Sequence, residues 1–284
     1  MRPMQLDNTR IAIRERDLAD VLDLSLQVIR AYALPWFLAS LAGALPLAVL
    51  NWWLLKSRSL SGAPSNKALY LGWMVVLVAF ELPLASAALT RFIGHAVFVD
   101  RPPVRQIVRD LFDSLPQLFF FQIVLRGIIF LPALALSEIW WLWAAIFWWM
   151  PFVLFPYLNE VILLERNPLV RTRGRMTTWQ RSQALHAGSR GNQFGRWLVS
   201  LVIAAALTAG LSLSIWYVAG LFTHHWELGD SLYVIYVPAA MWIVASFFAV
   251  ARYLSYLDMR IRREGWEVEL QIRAEADRLA RQIG

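Results

Sequence analysis

The stretch that decides the fold runs from Trp197 to Ala251, WLVSLVIAAALTAGLSLSIWYVAGLFTHHWELGDSLYVIYVPAAMWIVASFFAVA, and contains no lysine or arginine. A second stretch without basic residues runs from Gly127 to Glu165, and residues 166–196 between the two hold seven arginines. Loops on the cytoplasmic side of membrane spans keep Lys and Arg, whereas translocated short loops lose them. Each basic-free stretch therefore predicts two membrane spans joined outside the cell. The arginine-rich segment, residues 166–196, is then cytoplasmic.

The composition is typical of a protein with a lipid-facing surface. The 284 residues are 58% hydrophobic and 14% aromatic, with a mean hydropathy of +0.49. A soluble domain does not need this much apolar side chain to fill one core. The net charge of +7 comes mostly from arginines beside the predicted spans, which favours contact with anionic lipid headgroups and not with nucleic acid. Because the chain has no cysteine, thiolate chemistry and Cys-based metal sites are excluded.

Six segments are long and apolar enough to cross a bilayer as helices of about 20 residues. They are approximately 34–55, 69–90, 115–136, 139–158, 197–222 and 232–254. An even number places both termini on one side, and arginines in both terminal segments predict that this side is the cytoplasm. Lys56, Arg58 and Lys67 in the first external loop oppose this orientation, but the later loops outweigh them. We therefore predict one all-α polytopic membrane domain over residues 1–284, with both termini in the cytoplasm.

Two helices outside the spans are also predicted. Apolar residues between 17 and 31 gather on one face, which predicts an amphipathic helix along the inner surface, unless it simply extends the first span. The charged tail, residues 256–284, has opposite charges four residues apart, which favours an exposed helix. These pairs are Asp258/Arg262, Glu269/Arg273 and Asp277/Arg281, and a narrow apolar stripe consists of Ile272, Ala276, Leu279 and Ile283. The stripe predicts a protein partner or self-association through the tail.

Polar groups inside the spans are the best candidates for a functional site, because an ionisable group in hydrocarbon is costly unless it is paired or hydrated. Glu81 and Arg126 have similar depths on consecutive predicted spans, which makes an interhelical ion pair geometrically reasonable. Such a pair could fix packing only, or it could line a polar cavity. Asn159 and Glu160 end the predicted fourth span.

Charged residues also collect at the predicted cytoplasmic mouth of the bundle. Glu165 and Arg166 follow Glu160, and Arg91 and His95 reach the same level at the end of the second span. Such a cluster could bind a lipid headgroup or another anion. The alternative, which we favour, is that these side chains extend into the interface as charges at helix ends commonly do.

No motif of known catalytic chemistry is present. The predicted external loop has ligand-type side chains in His224, His225, Glu227 and Asp230, but adjacent histidines do not easily bind one metal ion. GxSxG, HExxH, Walker-type and dinucleotide-binding glycine patterns are missing. We therefore expect no catalytic residue, cofactor or metal. A lipid-modifying enzyme built from scattered Arg, Glu and His would escape this search.

Three strings carry a family resemblance. They are YLDMRIRREGWEVELQIRAEA at 256–276, ELPLASAALTRFIGHAVF at 81–98, and PYLNEVILLERNPL at 156–169 followed by RSQAL at 181–185. They resemble segments of uncharacterised bacterial six-span proteins related in layout to the membrane domain of glycerophosphoryl diester phosphodiesterase. The resemblance implies an inner-membrane protein with cytoplasmic termini. It supplies no catalytic residues, because the metal-binding phosphodiesterase domain has no counterpart in this chain.

Two functions remain open at this level. The first is a non-enzymatic membrane subunit or scaffold of a bacterial envelope complex, which would use the arginine-rich segment and the charged tail as its cytoplasmic face. The second is a transporter or lipid-handling protein with a polar path past Glu81, Arg126 and Glu160. The second requires a hydrated or lipid-filled cavity at these residues, whereas the first permits a tightly packed bundle.

Overall fold

The computed structural model describes residues 17–59, 64–96, 104–125, 127–128, 157–165, 167–168, 176–186, 190–227 and 229–283, and the regular structure in these ranges is helical. The helices are α1 (Leu18–Ala31), α2 (Ala33–Ser59), α3 (Pro64–Ala85), α4 (Ala87–Ala96), α5 (Val104–Phe119), α6 (an α-helical turn Leu158–Glu160 followed by a π-helical turn Val161–Glu165), α7 (Thr178–His186), α8 (Arg190–Thr223) and α9 (Val237–Ile283). Two more π-helical turns, Phe120–Leu125 and Leu232–Tyr236, follow α5 and precede α9.

Four helical segments are long and apolar enough to cross a membrane, which identifies the chain as a membrane protein. They are Ala33–Leu55, Leu69–Ala96, Phe194–Thr223 and Leu232–Arg262. These segments coincide with four of the predicted spans: 34–55, 69–90, 197–222 and 232–254. Of the other two predicted spans, 115–136 and 139–158, residues 126, 129–136 and 139–156 lie outside the described part of the chain, so the total of six stays a prediction.

Two of the four apolar clusters in the described residues mark opposite parts of the bundle. Near one end, Val21 of α1 packs with residues of α4 and with α9 between Ala249 and Leu254. We call this end the α1 end. Further towards the other end, α2 and α3 pack together with Trp242 of α9. That far end is marked by Lys67, whose ammonium group lies 2.8 Å from the Asp230 carboxylate, a hydrogen bond that raises the pKa of Lys67.

A glycine lets α2 approach the junction of α3 and α4 closely. A Cβ added to Gly43 would collide with the backbone carbonyl oxygen of Ala85, so this position has no room for a side chain. The junction itself falls at Ser86, three residues after Pro83, which cannot donate a helical hydrogen bond. Helical bonding nevertheless crosses it, because the Ser86 N–H donates to Leu82 at 2.9 Å and the Thr90 N–H to Ser86 at 2.8 Å.

The two predicted helices outside the spans are both helical, with one difference. The amphipathic helix is observed as α1, and its buried residues Val21 and Ser25 lie one turn apart on the face towards the bundle. We predicted a separate helix for the charged tail. The tail is instead the continuation of the last span, since α9 runs without a break to Ile283. No proline follows Arg252, and the helix continues through Gly265, so the last membrane helix has no proline stop after Arg252.

One amphipathic helix was missed. No helix was predicted for residues 104–114, yet α5 begins at Val104. Its buried residues, Ile107, Asp110, Ser114 and Leu118, recur every three or four positions and form a single stripe. Two of the four are polar, which weakened the apolar pattern in the sequence. The contacts of these two polar residues explain their burial.

Candidate functional site

A largely buried ion pair joins α6 and α9 and contacts Ser86 at the junction of α3 and α4. Glu160 is 0% exposed, and its Oε1 accepts a hydrogen bond of 2.6 Å from Nε of Arg252. Nη2 of Arg252 also donates to the Ser86 hydroxyl at 3.1 Å. The Asn159 side-chain amide lies 3.5 Å from the same hydroxyl. We call these four residues the Glu160 network. It places a charged pair at the break between α3 and α4.

A second carboxylate, Glu165, is bonded from three sides. Nε and Nη2 of Arg181 in α7 donate to its two oxygens at 2.6 and 3.1 Å, the fork geometry that an arginine forms with a carboxylate. The Tyr256 hydroxyl donates to Oε1 at 2.7 Å, and the Asn167 amide to Oε2 at 3.0 Å. Burial raises the pKa of Glu165, but the bonds from Arg181, Tyr256 and Asn167 outweigh it, so that the pKa lies below its usual value.

The π-helical turn in α6 explains how both carboxylates face α9. Glu160 and Glu165 are five residues apart, and the turn Val161–Glu165 lies between them. Hydrogen bonds from i to i+5 bring positions five apart onto one face, which an α-helix does not do. Arg252 and Tyr256 are four apart in α9 and so share one face of an α-helix. The two pairs of residues are therefore in register along α6 and α9.

The polar residues of α4 face α5. Nη2 of Arg91 donates to the Ser114 hydroxyl at 2.6 Å and to the Asp110 carbonyl at 3.3 Å. Nε2 of His95 lies 3.7 Å from a carboxylate oxygen of Asp110. Arg91 is only 4% exposed, so our expectation that it extends into the membrane interface was wrong. Its guanidinium group is instead accommodated by the polar stripe of α5.

Further bonds tie α5 to the arginine-rich segment. The Gln117 amide donates to the Thr178 hydroxyl at 2.5 Å and to the Asn167 carbonyl at 3.0 Å. The same carbonyl accepts a bond of 3.0 Å from the Thr178 hydroxyl. Thr178 begins α7, which also holds Arg181. The start of α7 is thus bonded to α5 and to the residues that follow α6.

Glu81 lies apart from these contacts, in the cluster nearer the far end. Its Oε2 accepts a hydrogen bond of 2.8 Å from the side-chain amide of Asn51 in α2. Arg126, its predicted partner, lies outside the described residues, and the ion pair between them stays a prediction. Asn51 was not singled out in the sequence, although it is a polar residue in an otherwise apolar span.

The structure brings some of the predicted residues together and separates others. Asn159 and Glu160 belong to one network, and Glu165 follows on the next turn. Arg91 and His95 are on the neighbouring helix, where Gly94 lies against the Leu164 side chain of α6. Arg166 lies outside the described residues. Contact of this group with a headgroup or anion is untested and stays a prediction.

Sequence reasoning missed the partners of the predicted residues. Arg252 was used only to mark the end of the last span, and Arg181 only as one of seven arginines. A usable signal exists for Arg252, because it is the first basic residue after a long apolar run and precedes Tyr256 by one helical turn. Asp110 and Ser114 gave no comparable signal, since their burial depends on how α4 and α5 pack.

Some buried polar atoms have no partner in the described part of the chain. In the Glu160 network these are Oε2 of Glu160 and Oδ1 of Asn159. A buried acceptor without a donor carries a desolvation cost, so such a position suits a water molecule or a small polar ligand. Across the described ranges, no three His, Asp or Glu side chains are placed to share a metal ion.

Comparison with protein-family models, with curated proteins and with solved structures finds no match for this chain. The resemblance to the membrane domain of glycerophosphoryl diester phosphodiesterase is therefore untested and stays a prediction. What can be stated of the chain is its architecture, an all-helical membrane protein in its described residues, with a polar region where α4, α5, α6, α7 and α9 meet.

Proposed function

We propose that this protein is a non-enzymatic membrane subunit or scaffold of a bacterial envelope complex in the inner membrane. Its partner-binding face consists of the arginine-rich segment and the charged tail, both in the cytoplasm. The observation that carries the proposal is the position of Glu165, which accepts hydrogen bonds both from Arg181 in the arginine-rich segment and from Tyr256 in α9. One buried carboxylate thus holds both parts of this face against the bundle.

The proposed partner-binding face is attached to the bundle by hydrogen bonds, unlike a cytoplasmic loop without such contacts. Residues that are already ordered lose less conformational entropy when a partner binds. The tail is ordered in the same sense, because α9 continues as one helix from the last span. From Arg262 to Ile283 it extends by about 30 Å, at 1.5 Å per residue. This length is sufficient to reach a partner beyond the lipid headgroups.

The tail also has a candidate contact surface. Ile272, Ala276, Leu279 and Ile283 are spaced by four, three and four residues, so they occupy one side of the helical tail. A helix surrounded by water does not require such a stripe, whereas a helix that docks on a protein does. We therefore assign the stripe to a protein partner or to self-association, and the arginines to anionic lipid headgroups beside it.

Cross-linking in native membranes tests this assignment. We expect the variant Ile272→Ser/Leu279→Ser to lose its specific cross-linked complex by at least about tenfold, which corresponds to roughly 1.4 kcal/mol of binding free energy. The control Ala274→Ser/Arg281→Gln also changes two residues, but on the opposite side of the helix, and should keep the complex. Equal recovery from the two variants and from a chain that ends at Arg263 would exclude the tail as the binding surface.

The second candidate is a transporter or lipid-handling protein with a path past Glu81, Arg126 and Glu160. It is favoured by the acceptor atoms of Glu160 and Asn159 that have no partner among the described residues. Lipid analysis of the purified protein separates the two candidates. A stoichiometric lipid that is retained by the native chain and lost in Glu160→Gln would favour the second candidate, and no specific lipid in either sample would favour the first.

A further inference from the structure

Glu81 is a carboxylic acid enclosed by apolar side chains within a membrane span. It is 6% exposed and lies in the segment Leu69–Ala96. Val78 and Ala85, one turn before and one turn after it on α3, both belong to the apolar cluster with Trp242. In such surroundings the ionised form of a carboxyl group is strongly disfavoured unless a cation accompanies it.

Within the described part of the chain, the hydrogen-bond partner of Glu81 is neutral. The Asn51 side-chain amide donates to Oε2 of Glu81 at 2.8 Å, and Asn51 itself is 0% exposed. The other polar atom of this amide, Oδ1, has no hydrogen-bond partner in the described part of the chain. A buried amide oxygen without a donor is unfavourable, because it has given up its hydrogen bonds to water and gained none in return. The pair therefore lacks one hydrogen-bond donor, the one that Oδ1 of Asn51 would accept from.

The protonation state of Glu81 decides whether that hydrogen is present. An ionised carboxylate is only an acceptor and cannot donate a hydrogen bond to Oδ1 of Asn51, whereas a protonated carboxyl group has one O–H to donate. A carboxylic acid and a side-chain amide each offer one donor and one acceptor, so together they can form two hydrogen bonds. Protonation removes the buried charge and also supplies the missing donor.

Among the described side chains of the packed helices, Arg91 and Arg252 have other partners and the arginines of α5 are exposed. Besides α2, the elements packed against α3 are α4, α5, the turn Phe120–Leu125 and α9. Arg91 of α4 bonds to Ser114, and Arg252 of α9 bonds to Glu160. On α5, Asp110 lies beside His95, and Arg105, Arg109 and Asp113 are exposed. On α2 the charged residues are Lys56 and Arg58 near its end, and on α3 the other ionisable groups are Lys67, bonded to Asp230, and the buried Tyr70 phenol.

We propose that Glu81 and Asn51 form an intramembrane proton-binding site, in which the Glu81 carboxyl group is protonated at neutral pH and donates a hydrogen bond to Oδ1 of Asn51. The proton is the ligand of this site. The site is separate from the Glu160 network and from the partner-binding face, so it does not depend on the function proposed above.

Infrared spectroscopy of the full chain in lipid nanodiscs at neutral pH tests the proposal. A protonated carboxyl group has a carbonyl stretching band that a carboxylate does not have, and we expect this band, with the intensity of one group, to disappear in Glu81→Gln. In Asn51→Leu the band should persist but move to higher frequency, because the carbonyl loses its hydrogen bond. Absence of the band from the native chain would overturn the proposal.

Two control variants distinguish this site from an ion pair with Arg126. Glu160→Gln should leave the band unchanged, because the band is assigned to Glu81 and Glu160 is bonded to Arg252. If Glu81 is instead ionised by Arg126, the native chain lacks the band and Arg126→Leu gains it, which would refute the proposal.

Carbodiimide labelling of the native chain provides a second test that does not depend on any variant folding. The carboxyl O–H adds across one C=N bond of the reagent, so that the proton goes to nitrogen, the carboxyl oxygen bonds to carbon, and nothing leaves. Because the protonated acid is the reactive form, we expect the adduct on Glu81 and not on Glu160, with less adduct as the pH rises. Labelling of Glu160 alone would contradict the proposal.

Discussion

At the scale of single residues, buried charge is placed where a partner helix can neutralise it. Glu160 and Glu165 each receive an arginine, from α9 and α7 respectively. A buried ion pair adds little to stability compared with an apolar pair of the same shape, but the loss of one partner is expensive. We infer that these pairs specify which helices meet. Replacing one member of a pair should destabilise the fold more than replacing both.

The Arg252–Glu160 pair makes a direct prediction. Arg252→Leu leaves a fully buried carboxylate without its cation and should lower the free energy of unfolding by about 3–5 kcal/mol. The double variant Arg252→Leu/Glu160→Gln should recover much of this loss, because no unpaired charge remains. Unfolding of the purified protein in detergent measures both. Lys67→Gln is the control, since its pair with Asp230 is largely exposed and should matter little. Losses that simply add in the double variant would mean that the pair is not coupled.

Glu165 makes stability depend on pH. Because its pKa in the folded protein is lowered from 4.5, the stabilisation is fully present above about pH 4.5 and is lost as the pH falls through the lower, folded value. We expect the melting temperature of the native chain to fall more steeply in this acidic range than that of Glu165→Gln. In Arg181→Gln the pKa of Glu165 in the folded protein should rise towards its unfolded value, so that less stability is lost on acidification. Parallel melting curves for the native chain and Glu165→Gln would exclude this role.

At the scale of helices, local irregularity decides which residues meet. The π-helical turn Val161–Glu165 brings two carboxylates onto one face, and the break at Ser86 offers a hydroxyl to Arg252. Both irregularities lie at the same polar region. We infer that the contacts of this polar region require the irregular helix geometry as well as the charged residues.

The contact between α2 and the α3–α4 junction gives a prediction at this scale. Gly43→Ala places a methyl group against the Ala85 carbonyl, so the two helices must move apart, and we expect a loss of roughly 1–3 kcal/mol in the free energy of unfolding. Gly72→Ala is the matched control, because an added Cβ there has no atom within 4 Å. In a helix this control should be neutral or slightly stabilising. Equal melting temperatures for the two variants would show that α2 does not approach Ala85 so closely.

At the scale of the whole molecule, the orientation in the membrane remains to be measured. Arginine placement predicts that Glu165 is cytoplasmic and that Asp230 is external. A phosphatase that is active only outside the cytoplasm should therefore be active when fused after Asp230 and inactive after Glu165. Because Lys67 contacts Asp230, a fusion after Lys67 should be active as well. The reverse pattern would show that the orientation is opposite to the predicted one. Activity that differs between the Lys67 and Asp230 fusions would show that these two residues do not lie on the same side of the membrane.

The sequence by itself determined the class of protein and the positions of four membrane helices. Runs of about 20 apolar residues have no stable place in water, and this constraint acts on each segment separately. For the same reason α1 could be predicted from its own apolar face. The amphipathic α5 was missed because half of its buried stripe is polar, and its burial depends on Arg91, which belongs to another helix.

Only the tertiary structure decided the partners of the buried polar residues. Glu160 and Arg252 are far apart in sequence, and no local pattern links Glu81 to Asn51 or Glu165 to both Arg181 and Tyr256. A hydrogen bond requires the donor–acceptor distance to be correct within a few tenths of an ångström. In this protein that positioning depends on the Gly43 contact, the junction at Ser86 and the π-helical turn in α6. Hydrophobicity acts over whole segments and can be summed along the chain, whereas pairing depends on how the finished helices pack.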